Sequence, residues 1–174
     1  MSIAELLLQD YDAEMKSTRR VLERIPDDNP EYKCHEKSMP LGRLAMHVAT
    51  LPAFGKVILT TPGMDMADPN QKFPDNTWRT RDIALATFDA AAAEARAALA
   101  ASSDADLAAE WKFAFGDMVI ANAPRSASYR MFFFNHLLHH RAQLSVYLRL
   151  NDIPVPGIYG PSADEPFNPA AKPA

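Results

Sequence analysis

Apolar residues recur at steps of three and four in the first stretch of the chain, where Leu8, Tyr11, Met15, Thr18, Leu22 and Ile25 form one stripe of a helix. Ser2 and Glu5 precede it at the spacing of a capping box, in which each side chain satisfies the other's backbone amide. Pro26-Asp27-Asp28-Asn29-Pro30 ends it. A second stripe, Leu44, His47, Val48, Leu51, Phe54 and Ile58, opens near Pro40, a residue tolerated in a first turn because its missing amide has no partner there. Pro52 falls inside this stripe, removes a bond to the Val48 carbonyl and predicts a kink within one turn of His47. Pro62-Gly63 closes the segment. The polar stretch from Met64 to Trp78 reads as a loop across the bundle, long enough to suggest a functional role.

A third helix begins at Thr80, with Asp82 in its first turn, and runs to about Ala101. Alanine propensity carries it, and the small side chains admit a close neighbour. Between Trp111 and Asn122 the period changes to two, with Trp111, Phe113 and Phe115 alternating with Lys112 and Ala114. Gly116-Asp117 then separates them from Met118-Val119-Ile120. Two readings fit: a hairpin on a two-residue turn with glycine first, or an irregular aromatic loop plugging one end of the bundle. A fourth helix, from about Ser126 to Leu150, is apolar nearly all round. In a single-layer bundle no helix is fully surrounded, so this face predicts burial against a second copy, a homodimer. From Asn151 the chain reads as an extended tail. The pattern as a whole predicts an all-α four-helix bundle.

Composition narrows the picture. At 174 residues, 48% of them hydrophobic and 23% charged, residues 1–174 suit a single globular domain. Scarce glycine (6) against abundant proline (14) favours helices joined by stiff loops. A net charge of -4 lacks the basic excess of a nucleic-acid binder. Cys34 is the only cysteine, which excludes an internal disulfide or a thiolate zinc cluster and suits a reducing cytoplasm. No basic leader precedes Leu6-Leu7-Leu8, and no apolar run approaches the ~20 residues of a membrane span. A soluble cytoplasmic protein is expected.

Candidate chemistry rests on histidine. His136 and His140, four apart on the fourth helix, project toward one point, and His47 lies on the inward stripe of the second. Together they offer three nitrogens to a divalent transition metal (zinc, nickel or iron), leaving coordination positions open for water. A lone inward histidine is more often a hydrogen-bonded core residue, but two adjacent buried imidazoles would each need a partner. His139 competes with His140 as the second ligand on that helix, although its direction differs by ~100° and the four-residue spacing chelates better. His35, in a charged loop beside Cys34, reads as solvated. No glycine-rich phosphate loop, serine nucleophile elbow or Glu-x-x-His di-iron pair is present.

Pro40-Leu-Gly-Arg-Leu-Ala-Met-His47-Val-Ala-Thr-Leu-Pro52, Asn135-His136-Leu-Leu-His139-His140-Arg-Ala-Gln143-Leu144 and the tail Pro154-Val-Pro-Gly-Ile-Tyr-Gly-Pro-Ser-Ala-Asp-Glu165 resemble the DinB family and its YfiT-like metalloenzymes. The resemblance covers nearly the whole chain, the first and third helices matching by pattern only. It implies an up-down-down-up bundle, frequent homodimers, and a metal held at His47, His136 and His140. Some relatives are enzymes dependent on low-molecular-weight thiols, isomerases and S-transferases; others are hydrolase-like.

The leading expectation is therefore a metal-dependent enzyme acting on a small-molecule substrate, as a thiol-dependent S-transferase or a hydrolase. In it, metal-activated water or thiol attacks an electrophile. Gln143, Asp164 and Glu165 are candidates for fixing a ligand imidazole or for the mouth of the site. No catalytic acid or base can be named. The rival is a non-catalytic dimeric metal-binding module of a stress response.

Overall fold

The structure, a computed structural model, describes residues 1–167. Helix α1 (Ile3–Leu22) opens on the expected capping box, with the Glu5 amide donating to Ser2 Oγ (3.1 Å) and the Ser2 amide to Glu5 Oε2 (2.7 Å). Its inward face buries Tyr11, Met15, Thr18 and Leu22, and Ile25 beyond its end is buried as well. Helix α2 (Leu41–Thr60) starts directly after Pro40 and passes through Pro52 as one helix. Helix α3 (Arg81–Ala100) is capped by Thr80, whose Oγ1 accepts from the Ile83 amide. It packs against α1 and α2, and Tyr11 Oη donates to the Ala92 carbonyl at 2.8 Å. A short α4 (Asp104–Ala108) follows, capped by Ser103.

The fold is mostly helical and also carries a three-stranded sheet, so all-α describes it incompletely. Strands β2 (Glu110–Phe115) and β3 (Met118–Pro124) form an antiparallel hairpin, which decides between the two readings of that stretch. Gly116 sits at φ +58° in its turn, a conformation that glycine adopts without steric cost. The third strand, β1 (Gly63–Asp65), pairs parallel to β2 and lies at the start of the stretch read as loop. A bulge between Phe113 and Ala114 breaks the predicted alternation: Trp111 and Ala114 are buried, while Phe115 turns outward.

The last helix is continuous but not uniform. It comprises α5 (Arg125–Ser128), a π-helical segment (Tyr129–Phe134) and α6 (Asn135–Leu150). In the π-segment the Asn135 amide bonds five residues back, to Arg130. Phe133 and Phe134 enter the core, and Phe132 packs on Phe113. Phe133 faces Gly55 of α2, where any Cβ would lie 2.8 Å from its ring, so glycine lets the two helices approach. The expectation of an all-round apolar helix is corrected here: Asn135, His139, Gln143 and Arg149 lie on its exposed side among Met131, Val146 and Leu150. Sequence position alone did not show that the π-turn rotates the phenylalanines.

The tail is extended, as predicted, and tied down. Ile153, Val155 and Ile158 pack against the core. Arg20 donates to the Gly157 carbonyl (2.8 Å) and pairs with Glu165, while Arg149 pairs with Asp164. Among the described residues no helix is long and apolar enough to cross a membrane.

Candidate metal centre

The close approach of α2 to the π-segment at Gly55 sets the last helix against α2, and His47 meets His136 and His140 there. His136 Nε2 lies 3.4 Å from His47 Nε2 and 2.8 Å from His140 Nε2. Bonds of ~2.0–2.1 Å to one ion place two nitrogens ~3.3 Å apart at the tetrahedral angle and ~2.9 Å apart at a right angle. Among the described residues this is the cluster of potential metal-binding side chains, with one ring nitrogen from each histidine within 4.8 Å of the others. All three rings are half-buried.

The opposite ring nitrogens decide what the cluster can hold. His136 Nδ1 lies 3.2 Å from the Phe132 carbonyl, and His140 Nδ1 lies 2.7 Å from Gln143 Oε1. Both partners only accept, so each neutral ring carries its proton on Nδ1. The two Nε2 lone pairs then face each other at 2.8 Å, a repulsive arrangement that a shared cation reverses. The donor set therefore fits a divalent ion.

His47 is held from the loop after β1. The Asn76 carboxamide lies 3.4 Å from His47 Nδ1 and 2.9 Å from Thr50 Oγ1, and Thr50 Oγ1 lies 3.1 Å from the His47 carbonyl. The hydroxyl has one proton. Thr50 Oγ1 donates to Asn76 Oδ1, which leaves the Asn76 amide nitrogen facing His47 Nδ1. His136 and His140 direct their Nε2 lone pairs to the point that His47 Nε2 also faces.

Electrostatics keep these rings neutral. Burial, then the neighbouring His140 and His136 and the Arg43 charge, press His47 down to about 4. Burial likewise lowers His136 and His140, against the hydrogen bonds their Nδ1 atoms donate to Phe132 and Gln143. A neutral imidazole is the form that binds metal.

Beside the cluster opens a cavity of about 550 Å³, with His47 and His136 at its wall. Leu51, Phe54 and Val57 of α2, Met64 of β1 and Phe113 of β2 make it apolar, and the segment from Met66 to Asn76 roofs it.

The fold, the histidine cluster and the chain's motifs agree with a comparison against known families, in which residues 1–169 match the DinB family. The chain belongs to the DinB family. It is 28% identical over 158 residues to the uncharacterized protein YrdA of Bacillus subtilis (strain 168), covering 91% of this chain and 89% of that one. A solved DinB-like protein of Bacillus cereus ATCC 10987 shares the fold with a TM-score of 0.65 at 22% identity, covering 91% of this chain and 98% of the other. A solved DinB-like protein of Bacillus subtilis, YjoA, does so with a TM-score of 0.64 at 20% identity, covering 86% and 96%.

In this DinB chain, His47, His136 and His140 lie together as the spacing anticipates. His139 does not join them: it is exposed, and its Nε2 lies 3.1 Å from Gln143 Nε2, which donates to it. Gln143 is at the site, but Asp164 and Glu165 are not. Each carboxylate is spent on the tail, Asp164 accepting from the Val155 amide and Glu165 from the Gly157 amide. His35 is exposed, and its Nδ1 accepts from the Lys37 amide. Sequence reasoning missed Asn76 and Thr50. The length of the loop after β1 was the available signal for Asn76, whereas Thr50, three residues after His47, fell off the apolar stripe.

Proposed function

We propose that this protein is a metal-dependent enzyme in which His47, His136 and His140 hold a divalent transition ion (zinc, nickel or iron) through Nε2. The observation that carries the proposal is the convergence of three histidine nitrogens together with the Nδ1 protons of His136 and His140 fixed by Phe132 and Gln143. Three protein ligands leave coordination open, and such an ion supplies Lewis acidity that lowers the pKa of water or of a low-molecular-weight thiol. The chain's own residues do the rest. The apolar walls exclude bulk water, the roof segment covers the ligand, and Asn76 and Thr50 hold the His47 ring toward the cavity. The reaction class is S-transfer or hydrolysis on a small electrophile.

The cavity favours this reading over a non-catalytic metal-binding module, because storage does not require an apolar chamber against the ligands. The proposal includes the four-helix, up-down-down-up course of the family, a homodimer using the exposed Met131 and Val146 of the last helix, and a cytoplasmic setting suited to the exposed free Cys34. The test is elemental analysis of untagged protein, then incubation with thiol and electrophile panels with and without chelator. Metal-dependent product supports the enzyme; bound metal without turnover on any panel member supports the module.

A further inference from the structure

We propose that the cavity beside the histidines takes a small organic anion with an apolar, ring-sized body. This deepens the metal-dependent reading and rests on it for the reacting end of the ligand. A volume of about 550 Å³ falls within the ~300–1,000 Å³ usual for small-molecule sites. Its inner wall is aromatic and preset: Phe54 and Phe113 lie 6.0 Å apart between ring centres, and both pack on the fully buried Trp111. Flat apolar bodies match such a wall.

Charge sets the second half of the assignment. Among the described residues the lining contains no aspartate or glutamate, and Lys72 of the roof is its one fully charged side chain. Arg43 adds positive potential at His47, and a divalent ion adds more. A cationic ligand would meet these positive charges without a carboxylate counter-ion in the lining, whereas an anion is attracted to them.

Three probes of one shape and different charge test this: trans-cinnamate, cinnamyl alcohol and cinnamylammonium, titrated by calorimetry into the full chain, zinc-loaded and chelator-treated. Cinnamate should bind tightest, the alcohol next and the ammonium least, with the order kept and cinnamate weakened in the chelated protein. Val57→Phe and Ala53→Leu, which fill the cavity from α2, should each weaken cinnamate about tenfold. Lys72→Glu should weaken cinnamate about threefold and spare the alcohol. The inference is overturned if cinnamylammonium binds as well as cinnamate, if chelation abolishes binding of cinnamate and the alcohol alike, or if both filled variants, folded by circular dichroism, bind cinnamate unchanged. Failure of the metal reading looks different: no zinc is taken up, while the probe order and the effects of the variants persist.

Discussion

Gln143 Oε1 stands 2.7 Å from His140 Nδ1, and the same carboxamide reaches His139 with its nitrogen. One side chain thereby fixes the tautomer of a cluster histidine and occupies the neighbouring histidine that could have competed with it. Gln143→Leu should lower zinc affinity about 10- to 100-fold, the range for losing the group that orients a ligand ring. Gln143→Glu, which keeps an acceptor, should retain most of it. Competition with a chromogenic chelator reads both, and unchanged affinity in the leucine variant removes this role.

His136→Ala should abolish stoichiometric metal binding, because its nitrogen is the one close to both others. His139→Ala should keep a full equivalent. Metal content by elemental analysis after dialysis distinguishes the two, and loss of metal in His139→Ala alone would reverse the assignment.

Acid should act on the metal-free protein with a definite sign. Folding lowers the pKa of His47 from 6.5 to about 4, and lowers His136 and His140 as well, chiefly through burial. The unfolded chain therefore binds more protons, so the stability these rings contribute is complete above pH 6.5 and is lost as the pH falls toward about 4. The melting temperature of chelator-treated protein should decline across that window. A His47→Gln variant should decline less; an equal decline excludes His47 as a cause.

Gly55→Ala sets two effects against each other. Alanine is favoured over glycine inside a helix by ~1 kcal/mol, yet its Cβ would meet the Phe133 ring at 2.8 Å in a fully buried position. Overpacking of this kind costs ~1–3 kcal/mol. A lower urea midpoint is expected, together with weaker zinc binding as the last helix is pushed from α2. A raised midpoint would show that Phe133 yields freely.

Arg141, next to His140, is buried and paired with Glu14 at 2.5 Å, and it also donates to Tyr159 of the tail. Arg141→Ala leaves a poorly solvated carboxylate with only the Tyr159 hydroxyl as partner and should cost ~3 kcal/mol, of which Arg141→Met combined with Glu14→Leu should recover most. Equal denaturation midpoints for the single and double variants would contradict this.

The helix starts at Ser2, Pro40 and Thr80, the buried stripe of α1 and the convergence of His136 with His140 were legible because each depends on neighbours a few residues apart. The π-segment was not, since a three-phenylalanine run carries no period that separates it from an α-helix. Strand β1 pairs with residues far along the chain and spans three positions, too few for alternation to appear. Asp164 and Glu165 sit in a familiar motif and have the right chemistry, but the arginines and backbone amides that engage them lie on α1, α6 and the tail itself. The hairpin was half legible: glycine marked its turn, while the bulge that exposes Phe115 left no mark.

Asn76 lines the cavity and its carboxamide lies 3.4 Å from His47 Nδ1, so a ligand in the cavity and an ion on the histidines would share one contact. A guest that displaced Asn76 would weaken an ion held at His47, one that packed against it would strengthen that ion, and by reciprocity an ion would favour the second kind of guest.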